Sequence, residues 1–165
     1  MKTPDLAPLD LSKVILAEAA FLDFAIKRKP SGHIEDDING FTSHISVHTF
    51  FNVQEKGVKI EIEISCEAID KSNELLGIEG SFTIGFTFYI ENLEEHLVQA
   101  KEFNDPIPNT TLMFPLIGAA YSTARGMIII KVLGTPLQGF TLPIANARDL
   151  LQPPVITAER KKKKH

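Results

Sequence analysis

Tryptophan is absent and there is one cysteine, Cys66. A lone thiol cannot close an intrachain disulfide, so nothing in the sequence asks for an oxidising compartment. Cys66 lies within the apolar run from Ile60 to Ile69. There it reads as a small buried hydrophobe, because a reactive thiol needs an electropositive, partly open setting. The opening stretch, Met1 to Asp10, carries two prolines and two aspartates and lacks the apolar centre of a secretory signal. The longest apolar stretch is interrupted by Arg125, Gly126 and Lys131, so no segment is expected to span a bilayer. These absences lead to the expectation of a cytoplasmic protein with no stable membrane insertion.

Catalytic signatures are also lacking. No Walker A loop is present, and Gly77-x-x-Gly80 is not set between a strand and a helix as a phosphate cradle requires. Ser81, between Gly80 and Phe82, is not the Gly-x-Ser-x-Gly of a nucleophile elbow. His44 and His48 lie four apart in a strand pattern, which places them roughly 13 Å apart on one face, too far to share a metal ion. Glu61, Glu63, Glu67 and Glu79 read as a solvated sheet face rather than an acid/base pair. An enzyme is therefore not expected, nor a metal or other cofactor.

Charge is unevenly placed. Of 17 basic side chains, five are Arg160 and Lys161 to Lys164; the rest of the chain carries 12 basic against 21 acidic residues, a balance of −9. An acidic body argues against a nucleic-acid face, which needs its basic patch on the folded domain. The expected organisation is one domain over residues 1–152 and a disordered basic tail over 153–165.

What is present is patterned apolar residues. Phe41, Ile45, Val47, Thr49 and Phe51 share parity, then Val58, Ile60, Ile62 and Ile64 alternate with Lys59, Glu61 and Glu63. Period two is the mark of a half-buried strand, and Lys56-Gly57 reads as the turn between the two. After a polar loop at Asp70 to Glu74, Ile78, Phe82, Ile84, Phe86, Phe88 and Ile90 occupy one face of a third strand. Gly77, Gly80 and Gly85 in that run suggest a bulge or a close backbone approach. Leu11 to Phe24 permits a helix by periodicity alone.

Farther on, Asn92 can cap a helix with a weak stripe at Leu93, His96, Leu97 and Ala100. A second, long helix starts near Thr110, tolerates Pro115 near its start, and carries Met113, Ile117, Ala120, Tyr121, Ala124, Ile128 and Val132 at helical spacing. A break at Gly126 with a strand over 127–133 is the alternative; a single helix is favoured. Gly118, Ala119, Ala120, Ser122, Ala124 and Gly126 leave this helix little bulk. Interior glycine costs about 1 kcal/mol relative to alanine, so another backbone is expected to pack closely there. An apolar surface wrapping the helix needs burial on two sides: its own sheet and a second subunit. Asn146 can cap a short last helix through Leu150 and Leu151.

The strand at Leu76 to Phe88, the helix opening Leu112-Met113-Phe114-Pro115, the Arg125-Gly126 step, and Leu142-Pro143-Ile144-Ala145-Asn146 leading to Leu150-Leu151 resemble the SecB family of export chaperones. That resemblance implies an α+β fold: a four-stranded antiparallel sheet with a long helix and short helices packed on one face. It makes Leu11 to Phe24 an edge strand. It also implies a homotetramer, a dimer of dimers, with long helices packed between sheets. Gly118, Ala119, Ala120, Tyr121, Ala124 and Gly126 then fall at the oligomer interface. The implied activity is that of an ATP-independent holdase that keeps unfolded or newly made proteins ready for export. Clients would lie in a groove assigned to Ile62, Ile64, Ile78, Gly80, Phe82, Leu150 and Leu151, and Glu79 falls where an acidic strand residue helps dock the export motor SecA. The sequence departs from the family in its basic end, in a longer stretch between Arg125 and Pro143 and in an expanded segment from Asn92 to Pro108. Two other functions stay open: a dedicated partner of one protein, such as an antitoxin or secretion component, and a small apolar-ligand carrier.

Overall fold

The computed structural model describes residues 7–30 and 37–151, so the expected basic tail over 153–165 lies outside the described residues. Four strands, β1 (Val14–Arg28), β2 (Gly40–Asn52), β3 (Gly57–Ile69) and β4 (Leu75–Ile90), form one antiparallel sheet in the order β1-β4-β3-β2. Alternation decides its two faces. On β3, Val58, Ile60, Ile62, Ile64, Cys66 and Ala68 point to the core, and Lys59, Glu61, Glu63, Ser65 and Glu67 point away. On β4, Ile78, Phe82, Ile84, Phe86, Phe88 and Ile90 are buried as their parity requires.

Local polar side chains close the hairpins. The Asn52 carboxamide oxygen accepts from the Gln54 and Glu55 amides at 3.1 and 3.2 Å, and Lys56 turns the chain at φ 54° before Gly57. The Asp70 carboxylate accepts from the Ser72 and Glu74 amides at 2.7 and 3.0 Å in the next connection. Such side-chain-to-backbone bonds are what make Asn and Asp turn residues.

β1 is extended, as the family resemblance implies, and its register explains the ambiguity of its sequence. Pairing with β4 slips between Leu16 and Glu18 and again between Phe21 and Asp23. Each slip inserts one residue, a bulge, and shifts the parity of the residues beyond it. Val14, Leu16, Ala19, Phe21, Phe24 and Ile26 therefore lie opposite Ile90, Phe88, Phe86, Ile84, Phe82 and Gly80, all buried positions of β4. Alternating steps of two and three look like a helical stripe.

The long helix, α1 (Thr110–Lys131), is continuous through Gly126. Asn109 caps it, its side-chain oxygen accepting from the Leu112 amide at 3.0 Å. Leu112, Met113, Leu116, Ile117, Ala120, Tyr121, Ala124 and Ile128 form its buried face against the sheet. Burying a Leu or Ile side chain contributes about 1.5–3 kcal/mol, so this face fastens the helix. By length and composition alone α1 could cross a membrane, contrary to the reading that no segment could; here it lies on the sheet. Val132 caps its end, Gly134 at φ 71° turns the chain just beyond, and Leu137, Phe140 and Leu142 return to the core. Two bonds tie that return to the helix: the Tyr121 hydroxyl donates to the Pro143 carbonyl at 2.8 Å, and Arg125 Nε to the Leu142 carbonyl at 3.0 Å. Asn146 then caps α2 (Ala147–Leu150), accepting from the Arg148 amide at 3.0 Å.

The helix expected from Asn92 does not form. A single turn, Leu93–His96, leads into a short ribbon of β5 (Leu97–Val98) and β6 (Ile107–Pro108). A helix this short is not stable by itself. Instead the His96 carbonyl accepts from the Asn109 amide at 2.8 Å, drawing the ribbon to the start of α1.

Candidate client-binding groove

An apolar groove of about 770 Å³ opens beside the start of α1. The end of β2 supplies Thr49, Phe50 and Phe51, and the start of β3 supplies Val58. The β5–β6 segment contributes Phe103, Asn104, Asp105, Ile107 and Pro108; α1 adds Thr110 and Met113, and Leu151 closes the end. Phe50 and Phe51 are 52% and 40% exposed, too open for a single folded copy to need them as core. β2 is also an edge strand of the sheet. A chain laid along it could add backbone hydrogen bonds whatever its sequence, while the groove takes its apolar side chains.

The seven residues assigned to the groove from sequence divide. Leu151 lines it and Leu150 is half-buried nearby in sequence. Ile62, Ile64, Ile78 and Phe82 are at most 3% exposed and belong to the core shared with α1 and the loop after it, so they offer a guest no surface in one copy. Gly80 is likewise covered, by Leu137. The aromatic pair Phe50-Phe51 was the available signal. Two adjacent aromatics in an alternating strand cannot both point to the core, so one must be placed where alternation alone would leave it in water.

The other sheet face is polar. A trough of about 460 Å³ runs across it past Lys27, His44, Ser65, Glu67, Glu79 and Ser81. Glu79 is ion-paired with Lys29, which raises the lysine's pKa through that hydrogen bond and charge. The pair is largely exposed and so contributes little to stability. No group of three or more potential metal-ligating side chains occurs among the described residues.

The small-residue helix also divides. Ala120, Tyr121 and Ala124 are at most 3% exposed and face the protein's own sheet. Ala119 and Gly126 are exposed and Gly118 is half-exposed. An added Cβ at Gly118 or Gly126 would meet nothing within 4 Å in this copy. The outward stripe reads Pro115, Ala119, Ser122, Gly126, Ile129 and Leu133, all exposed, in alternating steps of four and three. That is the spacing of a seam that packs against another helix.

One long helix on a four-stranded antiparallel sheet is an α+β architecture, and its match among solved structures is a SecB-like fold. No protein-family model matches the chain, and no curated protein matches it. Among solved structures it is similar to a SecB-like chaperone of Mycobacterium tuberculosis in complex with a ChAD peptide from the HigA1 antitoxin. The TM-score is 0.54 at 10% identity, covering 82% of this chain and 92% of that one.

Proposed function

We propose that the protein is an ATP-independent holdase that binds unfolded or newly made polypeptides in the Phe50–Phe51 groove. The observation that carries this is the open apolar groove set along an edge strand. Burying about 300 Å² of apolar surface contributes roughly 7 kcal/mol, against about 4–15 kcal/mol of association cost. One groove alone therefore holds a guest weakly, and several grooves on one assembly hold a long guest by multivalency.

Assembly into a homotetramer is the second part of the proposal. Ile129 and Ile130 at the outer end of α1 and Leu133 just beyond it are 46%, 71% and 60% exposed. On β1, also an edge strand, Ile15, Leu16, Leu22 and Phe24 are 43–56% exposed. A long apolar edge invites pairing with another chain. Burial in a second copy would explain both surfaces and the uncrowded glycines of α1. The export role, cytoplasmic location and docking of SecA on the polar face at Glu79 complete the reading.

A dedicated partnership with one protein is the second reading, favoured by the antitoxin peptide held by the structural neighbour. Titration with fluorescently labelled, reduced and carboxymethylated α-lactalbumin tests the first. A holdase binds this unrelated unfolded chain, and Phe51→Asp weakens binding severalfold. A dedicated partner ignores it yet retains a single protein from lysate.

A further inference from the structure

We propose that the apolar part of the C-terminal segment, residues 153–158, is a built-in occupant of the groove. The described chain ends at Leu151, and Leu151 itself lines the groove. Beyond it the sequence runs through Gln152 to Pro153, Pro154, Val155 and Ile156, a contiguous apolar stretch. At 3.3–3.6 Å per residue, four residues reach about 13–14 Å, so these side chains cannot stray far from the groove mouth. Consecutive prolines fix φ in advance, so less conformational entropy is lost on seating than for an ordinary chain.

Charge points the same way. Asp105 is the one charged side chain among the described residues lining the groove, with Glu102 three positions before it in sequence. The segment continues through Glu159 into Arg160 and Lys161 to Lys164, and its net positive charge is opposite in sign to the balance of the rest of the chain. A tether this short gives an effective concentration of about 1 mM, enough to keep even a weak ligand seated. A client must then displace the segment, which sets a threshold: short or polar chains fail, and long apolar ones succeed. The seating stands on the groove's geometry; only the competition with clients rests on the holdase reading.

The test uses the full chain and its Val155→Asp/Ile156→Asp variant, with methionine methyl groups labelled for NMR. Met113 lines the groove, and Met127 on the same helix, outside the groove lining, serves as an internal control. Seating predicts that the Met113 signal moves in the variant while Met127 stays. It also predicts that affinity for carboxymethylated α-lactalbumin rises about tenfold, from a segment of about 0.1 mM intrinsic affinity at that effective concentration. An unmoved Met113 signal overturns the proposal. A shift that disappears on dilution assigns the groove to a neighbouring copy's segment and overturns it equally. A moved Met113 signal with unchanged client affinity upholds the seating, and it is the holdase reading of the groove that fails.

Discussion

Leu137 fills the notch that Gly80 leaves in β4: its Cδ1 lies 2.5 Å from where a Cβ on Gly80 would stand. Phe82 Cε2 and Cys66 Sγ are close behind, at 2.9 and 3.0 Å. The glycine is needed for the close approach of the loop after α1. Gly80→Ala is predicted to destabilise by about 1–3 kcal/mol, the usual cost of overpacking. Because Leu137 is the main clash, Leu137→Val should cost less in the Gly80→Ala background than alone. Urea unfolding of the three variants measures that non-additivity, and strict additivity would separate the two residues.

Gly126 gives a test of assembly that turns on sign. In one copy, an added methyl meets nothing within 4 Å, so Gly126→Ala should stabilise the helix by up to about 1 kcal/mol. If a second helix packs on the outward stripe, the same methyl intrudes. The proposal predicts that Gly126→Leu lowers the mass seen by light scattering while the circular dichroism stays unchanged. Replacing Ala120 instead would strike the protein's own sheet and report on folding, since Ala120 is fully buried.

Cys66 carries a pH prediction. Burial pushes its thiol up to about 11, opposed in part by a backbone hydrogen bond from Gly80. The folded protein thus holds the proton more tightly than the unfolded chain, whose thiol titrates near 9. The associated stability is intact below about pH 9 and is lost as pH rises toward 11. Comparison with Cys66→Ala isolates it: the gap between the two urea midpoints should change over that window and be constant at pH 6–8. At pH 8 the native thiol should resist Ellman's reagent.

His96 is buried with neither ring nitrogen hydrogen-bonded among the described residues. An unsatisfied buried polar group costs about 1–3 kcal/mol. His96→Leu is therefore predicted to leave stability unchanged or raise it, as read by urea unfolding; a loss above about 1 kcal/mol would show that the ring makes a bond that matters.

The sheet was legible where period two was uninterrupted, as in β3 and β4, and α1 was legible because its buried face keeps helical spacing across 112–128. β1 was not, because its two bulges change parity twice and imitate a helix; only the family resemblance made it extended. The groove was largely illegible. Alternation tells which face a residue takes but not whether a later helix covers that face. Ile62, Ile78 and Phe82 therefore read as available from sequence, although they are buried in the core that α1 and the loop after it complete. Phe103, Ile107 and Pro108 sit in a segment that reads as a helix and its end, and the β5–β6 ribbon is what brings them to the site.

Light scattering from chemically denatured citrate synthase, diluted without ATP into excess protein, tests the groove most directly. The native chain should suppress the rise in scattering, and Phe50→Ser/Phe51→Ser, with fold and assembly intact, should suppress it far less. Equal suppression by both would place client binding elsewhere, and no suppression by the native chain would contradict holdase activity altogether.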